Sequence, residues 1–175
     1  MSRPPAGRVL VIGLGNRFRG DDGAGPLVAE LVAERAPGLE AIACEREPTD
    51  LLMLWDDAGL ALLVDAVAGP NPGTWHRLEL GDGPLPKRPG PTASTHVLTL
   101  AEVIELGREL DRMPARLVIF GIEAASFETG SELSAPVADA IGPLTDAVLA
   151  EARALGCGRS RVQLTGAASG TAMSG

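Results

Sequence analysis

An open α/β fold with a doubly wound sheet is what this chain of 175 residues predicts, on three observations. A short apolar run, Val9 to Ile12, is stopped by Gly13-Leu14-Gly15 and followed by a helical pattern, the strand–turn–helix opening of an α/β sheet. Leu60 to Val67 (LALLVDAV) is apolar almost throughout, as a central strand covered on both faces requires. Further short β-forming runs then alternate with helical periods, the arrangement that gives parallel strands with crossover helices.

Each element follows in order. Ala24 to Arg35 carries Leu27, Val28, Leu31 and Val32 at helical spacing, with Glu30 and Glu34 outward, and Pro37-Gly38 ends it. Leu39 to Cys44 is predicted as a second strand, and Pro48-Thr49-Asp50 opens a short helix through Leu51, Leu52, Leu54 and Trp55. After the third strand, Trp75 to Leu80 alternates Trp75, Arg77 and Glu79 against His76, Leu78 and Leu80, a fourth strand with one wet face. Thr99 and Glu102 form a capping box for a helix to near Leu110. Leu117 to Gly121 is the fifth strand. Ser134-Ala135-Pro136 begins a last helical region that reaches Leu155, with a bend expected at Gly142-Pro143.

Connection lengths set directions. Ala68 to Thr74 is too short for a crossover helix, so strand four runs antiparallel and finishes at the bottom of the sheet. The Pro/Gly-rich stretch Gly81 to Ala93 has the reach to return to the top, at ~3.3 Å per extended residue. The helix after it starts there and delivers strand five upward, parallel to the others. In a doubly wound order 2-1-3, strands one and three are neighbours and their carboxyl ends frame the crevice where such folds build sites.

Composition excludes several function classes. The formal net charge is −8 with no long basic stretch, which disfavours nucleic acid and anionic membrane as partners. No segment is long and apolar enough to span a bilayer, and Met1 to Pro5 lacks the apolar core of a signal peptide. Cys44 and Cys157 match no metal-ligand spacing, and Cys44 is expected to be a small buried hydrophobe. A reducing cytoplasm fits these features. With 45% hydrophobic residues, residues 1–155 are expected to form one domain, and 156–175, rich in Gly, Ser, Ala and Thr, a flexible tail. A dinucleotide fingerprint is absent, since its third glycine position holds Phe18 and the acids Asp21 and Asp22 would repel a phosphate. No Ser/His/Asp or Cys/His nucleophile motif is present, so no hydrolytic nucleophile is assigned.

The chemistry gathers at the predicted crevice. Asp22 follows the first strand, Asp65 lies near the end of the third, and His96 sits just before the helix that starts at the top edge. Two carboxylates and an imidazole on separate segments make an O,O,N metal-ligand set with positions open for water or substrate. Each has a plainer reading: Asp22 as a cap for the following helix, Asp65 as a turn aspartate, His96 as a loop histidine bonded to backbone. Asp21 is read as a cap sooner than a ligand. Gly13, Gly15 and Asn16 shape the turn, and His76 is a surface strand histidine. Glu123 and Ser126 are expected just after strand five, on the same edge.

The motifs GLGNRFRGDDGAG, LLVDAV, STHVLTL and GIEAASFETGSELSAPV, in this order and spacing over residues 8–150, resemble those of the hydrogenase maturation proteases. These endopeptidases trim a C-terminal extension from the large subunit of nickel–iron hydrogenases. The resemblance implies a three-layer α/β/α fold with a five-stranded, mostly parallel sheet and one antiparallel strand. It implies nickel recognition by Asp22, Asp65 and His96, the nickel being supplied by the substrate and absent, or replaced by another divalent cation, in the free enzyme. The expected partner is a hydrogenase large-subunit precursor. Asn16, Asp21, Glu123 and Ser126 are assigned to the groove that receives it. A metal-polarised carbonyl or metal-bound water, with a carboxylate as base, is the standard means of such a hydrolysis. This chain departs from the family in two places: some relatives carry Glu where Asp22 stands, and Glu45-Arg46-Glu47-Pro48-Thr49 replaces a common glycine-rich loop. The rival reading is a non-enzymatic nickel-binding maturation factor on the same fold. Against it stands GIEAASFETGSELSAPV, a peptide-side motif that a pure chaperone would not need.

Overall fold

The apolar run at Val9 lies inside a longer strand, β1 (Arg8–Leu14), in the computed structural model, which describes residues 7–45, 47–81, 83 and 99–156. Leu10 to Leu14 are buried because β1 is flanked on both sides by parallel neighbours, β2 (Glu40–Cys44) and β3 (Ala58–Ala68). β5 (Leu117–Ala124) pairs parallel with β3, and β4 (Trp75–Leu80) closes that edge antiparallel to β5. The order is β2-β1-β3-β5-β4. The 2-1-3 arrangement and the antiparallel fourth strand are therefore as expected. β5 inserts between β3 and β4, so the Gly69–Thr74 link arches over the end of β5, where Gly73 N and Glu123 N exchange hydrogen bonds with Glu123 O and Thr74 O.

Helices cover both faces of the sheet. α1 (Ala24–Arg35) and α4 (Ala135–Gly156) bury Val28, Val32, Val137, Leu144 and Val148 against Val11, Leu62, Val64 and Phe120. On the other face α2 (Leu51–Leu54) and α3 (Leu100–Glu109) bury Leu51, Leu52, Val103 and Ile104, with Trp55, against Leu10, Ile12, Leu63 and Leu117. α4 is one helix of 22 residues that continues through Pro143. The bend expected at Gly142-Pro143 does not divide it, since Ile141 and Leu144 on either side stay packed in the core.

Two features orient the helices toward the carboxyl ends of the strands. A Cβ on Gly13 would lie 1.9 Å from Gly25 O, and one on Gly25 2.3 Å from Leu14 O and 2.7 Å from Val64 O. Glycines at both positions let the start of α1 rest directly on the ends of β1 and β3. The far end of α3 is tied to the bottom of the sheet, where Trp55 Nε1 donates to Arg112 O at 2.8 Å and Ala115 N to Ala58 O at 2.9 Å. Its amino end, closed by the Thr99–Glu102 capping box, consequently faces the top. Most of the Gly81–Ala93 return, His96 and residues 157–175 lie outside the described residues.

Candidate functional site

The turn after β1 is built by its own polar atoms. Asn16 Oδ1 accepts from Phe18 N at 2.9 Å and Asn16 O from Arg19 N at 3.1 Å, folding the chain back into a 3-10 turn at Gly20–Gly23. Gly15 holds φ +136° beneath that turn, where a Cβ would meet Asp22 O at 2.1 Å. A side chain at position 15 would therefore displace Asp22. The Asp22 carboxylate accepts from Asn16 N through Oδ2 at 2.9 Å, with Arg19 Nη1 at 3.9 Å. It does not cap α1, and neither the 3-10 turn nor α1 has a side-chain cap. Among the described residues Oδ1 makes no hydrogen bond, which leaves one oxygen of a partly exposed carboxylate for a ligand.

Asp65 is half-buried on β3, opposite Leu14 of β1 and Gly121 of β5. Leu63, two residues earlier, packs in the α2/α3 layer, so by strand alternation Asp65 faces that layer. Asp22 thus sits in the turn that follows β1, and Asp65 on β3 opposite Leu14, the last residue of β1. Among the described residues no three His, Cys, Asp or Glu side chains gather closely enough to hold a metal ion. The third expected member, His96, lies outside them.

Asp21 departs from both expectations. It is neither a cap nor a groove residue: at 1% exposure it sits under the surface. Its oxygens accept four hydrogen bonds, from Ala125 N (2.7 Å), Ser126 N (3.2 Å), Ser134 N (2.6 Å) and Ser134 Oγ (2.9 Å). Burial pushes its carboxyl pKa up, but these donors outweigh burial and hold it below the ordinary value. Asp21 N also donates to Ser126 O, and Gly20 N to Ser131 O. The first motif is therefore fastened to the β5–α4 loop. That role was missed for Asp21 and Ser134, yet it had a signal: of two adjacent acids before a buried helix, one must find several donors.

Glu123 is part of β5 and not beyond it, because β5 continues three residues past Gly121. Its buried carboxylate accepts from Asn71 N at 2.7 Å and meets His76 Nε2 at 2.9 Å. His76 is exposed, as expected of a strand histidine, but the partner was not foreseen. The pair forms because His76 stands opposite Gly121, which offers no side chain to separate them. Ser126 is half-buried, and its Oγ accepts from Glu128 N at 3.2 Å. Asn16 is half-buried and committed to the turn.

The sequence model of the family described as hydrogenase maturation protease (HycI) matches residues 46–151, well over half the chain. That match begins after the first motif. Solved structures extend the likeness across it. The hydrogenase maturating endopeptidase HybD from E. coli is 26% identical, with TM-score 0.67 over 85% of this chain and 94% of that one. A solution structure of an endopeptidase from Escherichia coli gives 26% identity and TM-score 0.70 over the same shares, 85% and 94%. The [NiFe] hydrogenase maturation protease HycI from Thermococcus kodakarensis KOD1 gives 26% and 0.59 over 81% and 89%. A sequence search of curated proteins gives no match. The sheet order, the single antiparallel edge strand and the flanking helices agree with the fold of these relatives. The chain belongs to the hydrogenase maturation protease family and is a peptidase.

Proposed function

We propose that this peptidase removes the C-terminal extension of a nickel–iron hydrogenase large-subunit precursor once nickel has been inserted, and that Asp22, Asp65 and His96 recognise the nickel. The observation that carries the reading is that two carboxylates from separate motifs stand by the carboxyl end of β1, Asp22 in the turn bonded to Asn16 N and Asp65 on β3 opposite Leu14. Family membership and a relative described as a [NiFe] hydrogenase maturation protease support the substrate. Oxygen and imidazole donors without a thiolate suit transient inspection of an ion better than its permanent retention.

The chain's own residues have distinct tasks in this scheme. Asn16 N holds Asp22 in place through Oδ2. β3, paired on both sides, fixes the position of Asp65. Asp21 takes no part in ligation, but locks the Asp22 turn to the loop at residues 125–134. A divalent ion carried in by the precursor supplies positive charge that polarises a nearby carbonyl. A neutral imidazole at His96 donates to such an ion, and protonation removes that donor.

Processing of nickel-loaded precursor by variants tests the reading. Asp65→Asn and His96→Ala, each checked for folding by circular dichroism, are expected to lose cleavage by about two orders of magnitude or more. His76→Ala is expected to cleave near the normal rate, because Glu123 keeps its bond from Asn71 N. Wild-type cleavage should also decline as pH falls below ~6.5, the ordinary imidazole value. Normal cleavage by His96→Ala together with an inactive His76→Ala would overturn the assignment.

A further inference from the structure

The two edges of the sheet are guarded differently. β4 carries Arg77 and Glu79, tied to each other and to Glu151 and Arg116, so that edge is dressed with ion pairs. β2 presents Ala41, Ile42, Ala43 and Cys44, four uncharged residues, between Glu40 and Glu45. Charged side chains are a usual device for keeping strangers off an exposed strand. The middle of β2 has none.

The backbone of β2 has a readable direction. Cys44 O accepts from Gly15 N at 3.1 Å, so the polar groups of Cys44 point toward β1. Successive residues of a strand point their N–H and C=O to opposite sides, so those of Ala43 and Ala41 point away from the sheet. Among the described residues the Ala43 amide has no partner outside the β1 ladder. Beside this edge runs a cleft of about 490 Å³ lined by Ile42, Ala43, Cys44 and Glu45 with Met53 and Leu54, and by the charged Arg17 and Asp50. Consecutive residues of one strand line the same space only when that space lies along the strand's edge. Met53 is 76% exposed on its far wall. The cleft adjoins the turn that bears Asp22, through the Cys44–Gly15 bond and the Arg17–Glu45 ion pair.

We infer that an extended segment of the precursor adds to β2 as a sixth strand. Its backbone pairs with Ala41 and Ala43, an apolar side chain enters beside Ile42, Met53 and Leu54, and its scissile region is carried toward the ends of β1 and β3. The inference rests on the proposed function for the identity of the peptide. Strand addition suits it because main-chain hydrogen bonds supply affinity and hold the chain extended, while one or two side-chain pockets supply selectivity.

Ala43→Pro removes the outward amide and blocks the edge, yet spares the β1 ladder, since proline is tolerated where the N–H faces away from the sheet. With nickel-loaded precursor, Ala43→Pro is expected to raise KM about tenfold or more with kcat within about twofold. Amide hydrogen exchange of the unaltered protein with excess precursor is the second measurement, and protection of Ala43 is expected. Cleavage without protection at Ala43, or with an unchanged KM in folded Ala43→Pro, overturns strand addition and leaves the function standing. Protection at Ala43 without cleavage by the unaltered chain upholds docking and overturns the proposed processing. Neither protection nor cleavage overturns both.

Discussion

Asp21 shows how much one side chain can decide here. Four donors converge on its carboxylate from a loop more than 100 residues away in sequence, and it is buried with its charge. Asp21→Asn keeps the volume but turns an amide toward donors, leaving buried N–H groups unpaired at about 1–3 kcal/mol each. A loss of about 2 kcal/mol or more in denaturant unfolding is expected, with Tm lower by about 5 °C or more. The pH dependence has a definite sign. The folded carboxyl titrates below its unfolded value of 3.8, so its stabilisation is complete above that value. It is lost as pH falls from there through the lower folded pKa. Acid unfolding of Asp21→Asn should show a correspondingly weaker dependence in that range. An equal slope for variant and wild type would mean that Asp21 is not the group responsible.

At the scale of elements, the meeting of β1, β3 and α1 matters most. Gly13 and Gly25 touch where no side chain fits, and this contact brings the helix start down onto the strand ends. Gly25→Ala would force its Cβ to 2.3 Å from Leu14 O, and backbone cannot give way as a flexible side chain can. A destabilisation of about 3 kcal/mol or more is expected. Far-ultraviolet circular dichroism should stay near native at low temperature while processing falls, because α1 and the Asp22 turn are lifted together. Full activity in Gly25→Ala would show that the close approach is dispensable. α3 works by the opposite device. Its far end is anchored through Arg112 and Ala115, and its capped start is left at the top edge.

For the whole molecule, Ala152 in α4 is the last buried core residue among the described residues, and the family match stops at residue 151. Removing residues 158–175 is accordingly expected to leave the melting temperature within about 2 °C and precursor processing unchanged, a shift equivalent to well under 1 kcal/mol. A truncated protein that folds but no longer cleaves would give the tail a function. Among the described residues no helix is long and apolar enough to cross a membrane.

The sequence by itself determined the elements, their directions and the fold class, because each rests on local patterns. The apolar run of β3 marked a central strand, the Thr99–Glu102 pair marked a helix start, and a link too short for a helix forced β4 to reverse. It also put Asp22 after the first strand and Asp65 late in the third, and these positions are the turn after β1 and a residue of β3 opposite Leu14. What it did not determine were partnerships between distant segments. That Asp21 is a buried clasp and not a cap depended on where Ser126 and Ser134 arrive. That His76 meets Glu123 depended on β5 entering between β3 and β4 and running three residues further than its apolar run. Only the tertiary structure decided these. Hydrophobic periodicity records whether a residue is inside, whereas a hydrogen bond is specified by the partner that folding brings to it.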